Sequence, residues 1–86
     1  MRLDGAYALD TQVAVRAEPF GALCYHYGNR RLTFLKSPDI VRVVQALGEH
    51  ASVADTLRSC AIEAVRWPTF VRALESLEGS DLIRER

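Results

Sequence analysis

A chain of 86 residues has room for one modest core and none for a second domain, because at this size only about 60% of the unfolded surface can be buried. Its 49% hydrophobic and 26% charged residues are those of a folded globular protein and exclude long-range disorder. Eleven basic side chains balance eleven acidic ones, which excludes any global attraction to nucleic acid or anionic lipid and leaves charge to act only locally.

Residues 1–12 follow no period and are expected to form a loose arm ahead of a domain at 13–86, although Tyr7 and Leu9 are large enough to pack. Val13-Ala14-Val15-Arg16 is short and β-branched, and Glu18-Pro19-Phe20-Gly21 closes it with turn residues, which predicts a first strand. Ala22 to Tyr27 alternates, Gly28-Asn29 has the glycine-first order of a two-residue type II′ turn, and Arg30 to Leu35 returns as the partner strand. Pairing Tyr27 with Arg30 sets Tyr25 opposite Leu32 and Leu23 opposite Phe34. This large apolar set reads as the face buried under the helices, with Cys24, His26, Arg31 and Thr33 on the other.

Ser37-Pro38-Asp39 is the start of a helix: a capping hydroxyl, a proline where its missing N–H is no loss, and an acid near the positive end of the dipole. Ile40, Val43, Val44 and Leu47 make its buried stripe, and Gly48 suits a left-handed C-terminal residue. Ser52 with Asp55 resembles a capping box for a shorter helix whose face is Val53, Leu57 and Ala61. Pro68 opens a third helix with Phe70, Val71, Leu74 and Leu77 on one side, ending at Gly79, and Leu82 and Ile83 remain to close the core. The expected fold is α+β, a three-stranded antiparallel β-meander followed by three α-helices. In such a meander the third strand need pair only with the second, so its outer edge stays open, a binding surface or a hazard.

Apolar stretches are broken by Arg, Asp or Glu well short of the roughly 18 residues of a membrane span, and the N-terminus lacks the plan of a signal peptide, so a cytoplasmic location without membrane contact is expected. Cys24 and Cys60 match no zinc or redox spacing and read as buried thiols. His26 and His50 lack acidic or Cys partners at ligand spacing, and His26 reads as a surface strand residue. Cys24 and His26 share a strand face, but no third group orients them and no oxyanion hole is in evidence, so neither catalysis nor a cofactor is expected.

Three runs, Pro19-Phe20-Gly21-Ala22-Leu23, Tyr25-His26-Tyr27-Gly28-Asn29-Arg30-Arg31-Leu32 and Phe34-Leu35-Lys36-Ser37, resemble the signature of the mycofactocin chaperone family. The order of strands and helices is similar to the wider PqqD-like family of peptide-recognition domains, whose fold is winged-helix-like. The likeness spans Val13 to about Ile83 and is strongest from Pro19 to Leu47. It implies a protein that is not an enzyme. Such a protein binds the mycofactocin precursor peptide and presents it to a radical-SAM maturase, which decarboxylates and cross-links the peptide's C-terminal residues.

The resemblance also implies that the peptide lies extended along the third strand, in a cleft walled by the third helix, which is strand addition to an open edge. Carried onto this chain, the edge is Arg31, Leu32, Thr33, Phe34 and Leu35, and the wall is drawn from Trp67, Phe70, Val71 and Leu74. Trp67 either lines that groove or staples the helix entry. Arg30, Arg31 and Lys36 add positive charge with no acid between Glu18 and Asp39, a field suited to orienting an acidic peptide. A homodimer through the same edge is a further expectation for an unpaired strand. The competing reading is a winged-helix DNA-binding module, but the third helix carries arginines balanced by glutamates, unlike a basic recognition helix, and no nucleic-acid partner is expected.

Overall fold

The computed structural model describes residues 1–86. In chain order the elements are β1 (Tyr7–Leu9), β2 (Val13–Glu18), β3 (Gly21–His26), β4 (Leu32–Leu35), α1 (Pro38–Ala46), a 3-10 turn (Leu47–Glu49), α2 (Val53–Ser59), a 3-10 turn (Ala64–Arg66), α3 (Trp67–Gly79) and β5 (Ile83–Glu85). The meander β2-β3-β4 is antiparallel and the three helices follow it, an α+β fold as expected. No helix is long and apolar enough to cross a membrane.

The segment before Val13 is tied down rather than loose. β1 pairs antiparallel with β5, Tyr7 opposite Glu85 and Leu9 opposite Ile83, so the two ends of the chain form a second, two-stranded sheet. Tyr7 and Ile83 are buried, and Val53 and Ala54 donate to the carbonyls of Gly5 and Leu3, which anchors the arm to the start of α2 as well. Burial and the neighbouring Glu78 and Glu85 carboxylates push the Tyr7 phenol above its ordinary value.

The β3–β4 register is the expected one, with Tyr25 opposite Leu32 and Leu23 opposite Phe34. The turn differs. His26 donates its amide to the Arg31 carbonyl at 3.0 Å, so four residues, Tyr27 to Arg30, form the loop, and the left-handed position is Arg30 at φ 63°, not Gly28. The cause is His26 itself. Its imidazole Nδ1 accepts the amides of Gly28 and Asn29 at 3.0 and 3.2 Å, while Asn29 Oδ1 accepts the Arg31 amide at 2.9 Å, so side chains satisfy the amides that a tight turn would pair through the backbone.

Which face of the sheet is buried is the opposite of the expectation. Ala22, Cys24 and Leu35 are buried and His26 is only 6% exposed, whereas Leu32 is 58% and Phe34 56% exposed. The inner face carries small side chains, which lets the stripe of α1 (Ile40, Val43, Val44) settle close onto β3 and β4, and the bulky residues of the alternate positions are left outside. Both thiols are free and buried, and desolvation pushes each above its ordinary value.

Ser37 caps α1 as expected, its hydroxyl accepting the Asp39 amide at 3.2 Å, and Ser52 caps α2 by accepting the Asp55 amide at 3.0 Å. Gly48 does not take the left-handed conformation; α1 instead tightens into the 3-10 turn at Leu47–Glu49. Ala61 is left-handed beyond the end of α2 (φ 58°), and the buried residues of that helix are Val53, Thr56 and Leu57. Asp39 ties α1 to the entry of α3: its carboxylate accepts from Arg42 at 2.6 Å and Arg66 at 3.1 Å, and these two guanidiniums hold its carboxyl below the ordinary carboxylate range.

Gly21 is required at the β2–β3 turn. Its φ is +148°, and a Cβ there would collide with the Leu35 carbonyl oxygen. Gly21→Ala is expected to cost about 1–3 kcal/mol in urea denaturation, while Gly79→Ala, at a helical site with open space, gains about 0.5–1 kcal/mol. For Asp39 the depressed carboxyl means a contribution fully present above the ordinary aspartate value and lost as pH falls through the lower folded-state value. The difference in urea midpoint between the natural chain and Asp39→Asn is therefore constant from neutral pH down to about pH 5 and shrinks only below about pH 4.

Candidate functional site

Both outer strands of the meander have open edges, since β2 and β4 each pair only with β3. The pairing decides which backbone groups are free. Because the His26 amide meets the Arg31 carbonyl, the directly bonded pairs toward β4 are His26–Arg31, Cys24–Thr33 and Ala22–Leu35. Thr33 and Leu35 thus spend their backbone groups on β3, and Leu32 and Phe34 point theirs outward to the open edge. On the other side Tyr27 donates to Gln12 at 2.9 Å, so the β2 edge is open at Val15 and Ala17, while the outward amide of Val13 donates to the Asp10 carbonyl at 3.0 Å.

Only the β4 edge borders a cleft. A cavity of about 550 Å³ lies between β4 with the start of α1 and one flank of α3, and it is the one cavity of this kind in the molecule. From the sheet side Thr33, Phe34, Leu35 and Lys36 border it; Ser37 and Ile40 form its floor end. From α3 come Thr69, Phe70, Ala73 and Leu77, a helical stripe in which the small Thr69 and Ala73 keep the groove open. The 13 residues of α3 run about 20 Å, the length of about six extended residues.

Arg66 borders the cleft, held by Asp39, which Arg42 also shares, and stacked 5.0 Å over the Phe70 ring, so its charge is partly offset. Arg30, Arg31 and Lys36 enter none of the chain's ion pairs and stand exposed at the two ends of β4. No cluster of three or more His, Cys, Asp or Glu side chains that could hold a metal is present.

The sequence-derived residues divide cleanly. Thr33, Phe34, Leu35 and Phe70 border the cleft. Leu32 lies on the same strand edge, and Arg31 precedes it, exposed. Leu74 is fully buried in the core and Val71 stands half-buried off the cleft. Trp67 staples the helix entry: its Nε1 donates to the Ile62 carbonyl at 2.9 Å, its ring packs on the core, and the Arg58 guanidinium lies 5.4 Å from the ring centroid. Sequence reasoning took the most apolar flank of α3, which is the core flank. The neighbouring stripe of Arg66, Thr69, Ala73 and Ser76 was missed, and its small residues at spacings of three and four were the available signal.

Residues 6–84 match the peptide chaperone MftB family. Among curated proteins, the peptide chaperone MftB of Mycobacterium ulcerans is 41% identical over 80 residues, covering 93% of this chain and 73% of that protein. That of Mycobacterium tuberculosis is 40% identical over 83 residues, covering 96% of this chain and 76% of the relative, and that of Mycolicibacterium smegmatis is 39% identical over 80 residues, covering 93% and 78%. No solved structure matches. Family match, relatives and the meander with its three helices agree: the chain belongs to the peptide chaperone MftB family.

Proposed function

We propose that this chain is a peptide chaperone that binds the mycofactocin precursor peptide by adding it as a fourth strand to β4, and presents it to a radical-SAM maturase. The observation that carries the reading is the coincidence of an open strand edge and an adjoining groove: Leu32 and Phe34 turn free backbone groups to the edge, and along that edge Phe34, with Thr33 and Leu35, borders the 550 Å³ cleft beside α3. A strand laid there pairs its backbone with β4 and turns alternate side chains toward Phe70, Ala73 and Leu77. The chain contributes no chemistry; its work is to hold an otherwise flexible segment extended.

Leu32 and Phe34 together offer two N–H and two C=O groups. At about 1 kcal/mol net for each hydrogen bond these supply about 4 kcal/mol, a millimolar affinity by themselves. The remainder comes from side chains buried in the cleft, which is also where the choice of peptide is made. The exposed Arg31 and Lys36 at opposite ends of the edge favour a segment bearing carboxylates at its ends.

Phe34→Pro removes an outward amide without touching the ladder to β3, and is expected to fold yet weaken the precursor peptide by about tenfold or more. Phe34→Ala keeps the amide and stays within about threefold of the natural affinity. Thr33→Pro removes an inward amide and disrupts the sheet itself. Amide shifts on peptide titration concentrate in Leu32–Leu35 and along the Arg66–Leu77 flank. A folded Phe34→Pro chain with undiminished affinity rejects strand addition.

A further inference from the structure

The outer face of the β2-β3-β4 sheet is the largest apolar feature that the cleft leaves unexplained. Phe20 is 44%, Tyr27 66%, Leu32 58% and Phe34 56% exposed, and Leu23 and Tyr25 stand half-buried among them. The residues are ordered against one another: the Phe20 and Phe34 rings lie 6.0 Å apart, and Tyr25 and Tyr27 meet edge-to-face at 5.0 Å. A contiguous aromatic and aliphatic surface on a monomer of this size marks a contact site rather than ordinary scatter.

The rim of this face is basic. Arg16 and Glu18, on the outward positions of β2, neutralise each other at 2.7 Å. Arg30 and Arg31 at the loop end of β4 and Lys36 beyond its other end have no acidic partner. A second copy would bring the same unpaired positive charges against this rim, whereas a surface with carboxylates around an apolar centre complements it. The face also shares residues with the peptide edge: Leu32 and Phe34 offer their backbone to the edge and their side chains to the face. A strand added to β4 therefore places its own alternate side chains beside Leu32 and Phe34, as a further row of the same surface.

We infer that this outer face docks a protein partner with an apolar centre and an acidic rim, and that the partner is the maturase that receives the peptide; the inference rests on the peptide-chaperone reading above. The docking surface is completed by the bound peptide, so the maturase distinguishes loaded from empty chaperone. By linkage, peptide and maturase then strengthen each other's binding by the same factor.

The test is calorimetric titration of the purified maturase into the full chain, with and without precursor peptide, for the natural chain, for Phe20→Glu combined with Tyr27→Glu, and for Tyr27→Glu alone should the pair disturb the sheet. Neither residue lies on β4, and Val65→Glu, at an exposed apolar position elsewhere, is the control. Maturase affinity is expected to fall about tenfold or more in the outer-face variants, with peptide affinity alone unchanged within about twofold and the control unaffected. Peptide is expected to tighten maturase binding to the natural chain. Unchanged maturase affinity overturns the inference, as does an equal loss of peptide affinity, or a natural chain that sediments as a dimer which the variants abolish without affecting the maturase. Failure of the natural chain to bind peptide overturns the chaperone reading separately, and the empty-chain titrations still decide the face.

Discussion

In an antiparallel strand the side-chain direction and the backbone direction alternate with the same period of two, and on β4 this coupling decides what the molecule can offer to others. Thr33 and Leu35 bond to β3 through their backbone and send their side chains toward the helices. Leu32 and Phe34 do the reverse on both counts: their amides and carbonyls reach the open edge and their side chains reach solvent. Any strand that pairs with β4 is consequently sorted in the same way, one set of side chains into the cleft under α3 and the other onto the outer face. A one-residue slip would exchange the sets.

The packing of the inner face explains why so much apolar surface stays outside. A chain of 86 residues can bury one core, and α1 fills it by lying close to β3 over Ala22 and Cys24. Large side chains at these positions would lift α1 from the sheet and leave voids around Val43 and Val44, which are now completely enclosed. The small inner residues therefore stabilise the fold, and apolar area on the outer face remains available for contact with another molecule.

The parts legible in the sequence were those set by local chemistry. Ser37 and Ser52 announce their helices because a hydroxyl before an N-terminal turn has few other uses, and the Leu23–Phe34 register follows from strand alternation within a short loop. Alternation says that two faces exist but not which is buried. Hydrophobic size pointed to Leu23, Tyr25, Leu32 and Phe34, while the space available beneath α1 selected Ala22 and Cys24. The β1–β5 pairing joins three-residue strands at opposite ends of the chain, a length at which no period can be read. In the cleft, the strand side was legible because an edge is a topological property. The helix side was not, because the flank that lines the cleft is less apolar than the flank that meets the core, and Trp67 and Leu74 belong to the latter.

Electrostatics divides the same region into fixed and free charge. Asp39 is shared by Arg42 and Arg66, which positions the start of α3 and offsets one of the two positive charges in place. Arg30, Arg31 and Lys36 remain unmatched, and salt at physiological ionic strength screens their field within about 8–10 Å. Charges that act only at contact orient a segment already at the edge more than they attract it from a distance. A carrier gains from that restraint. A segment held at a micromolar Kd with an ordinary association rate of about 10⁵–10⁷ per molar per second would leave at about 0.1–10 per second, within the range of common enzyme turnover. On the strand-addition reading proposed above, a few backbone bonds and one shallow groove suit letting go on that timescale, whereas a deeper pocket or a matched ring of charge would make the hand-over, not the chemistry of the receiving enzyme, the slow step.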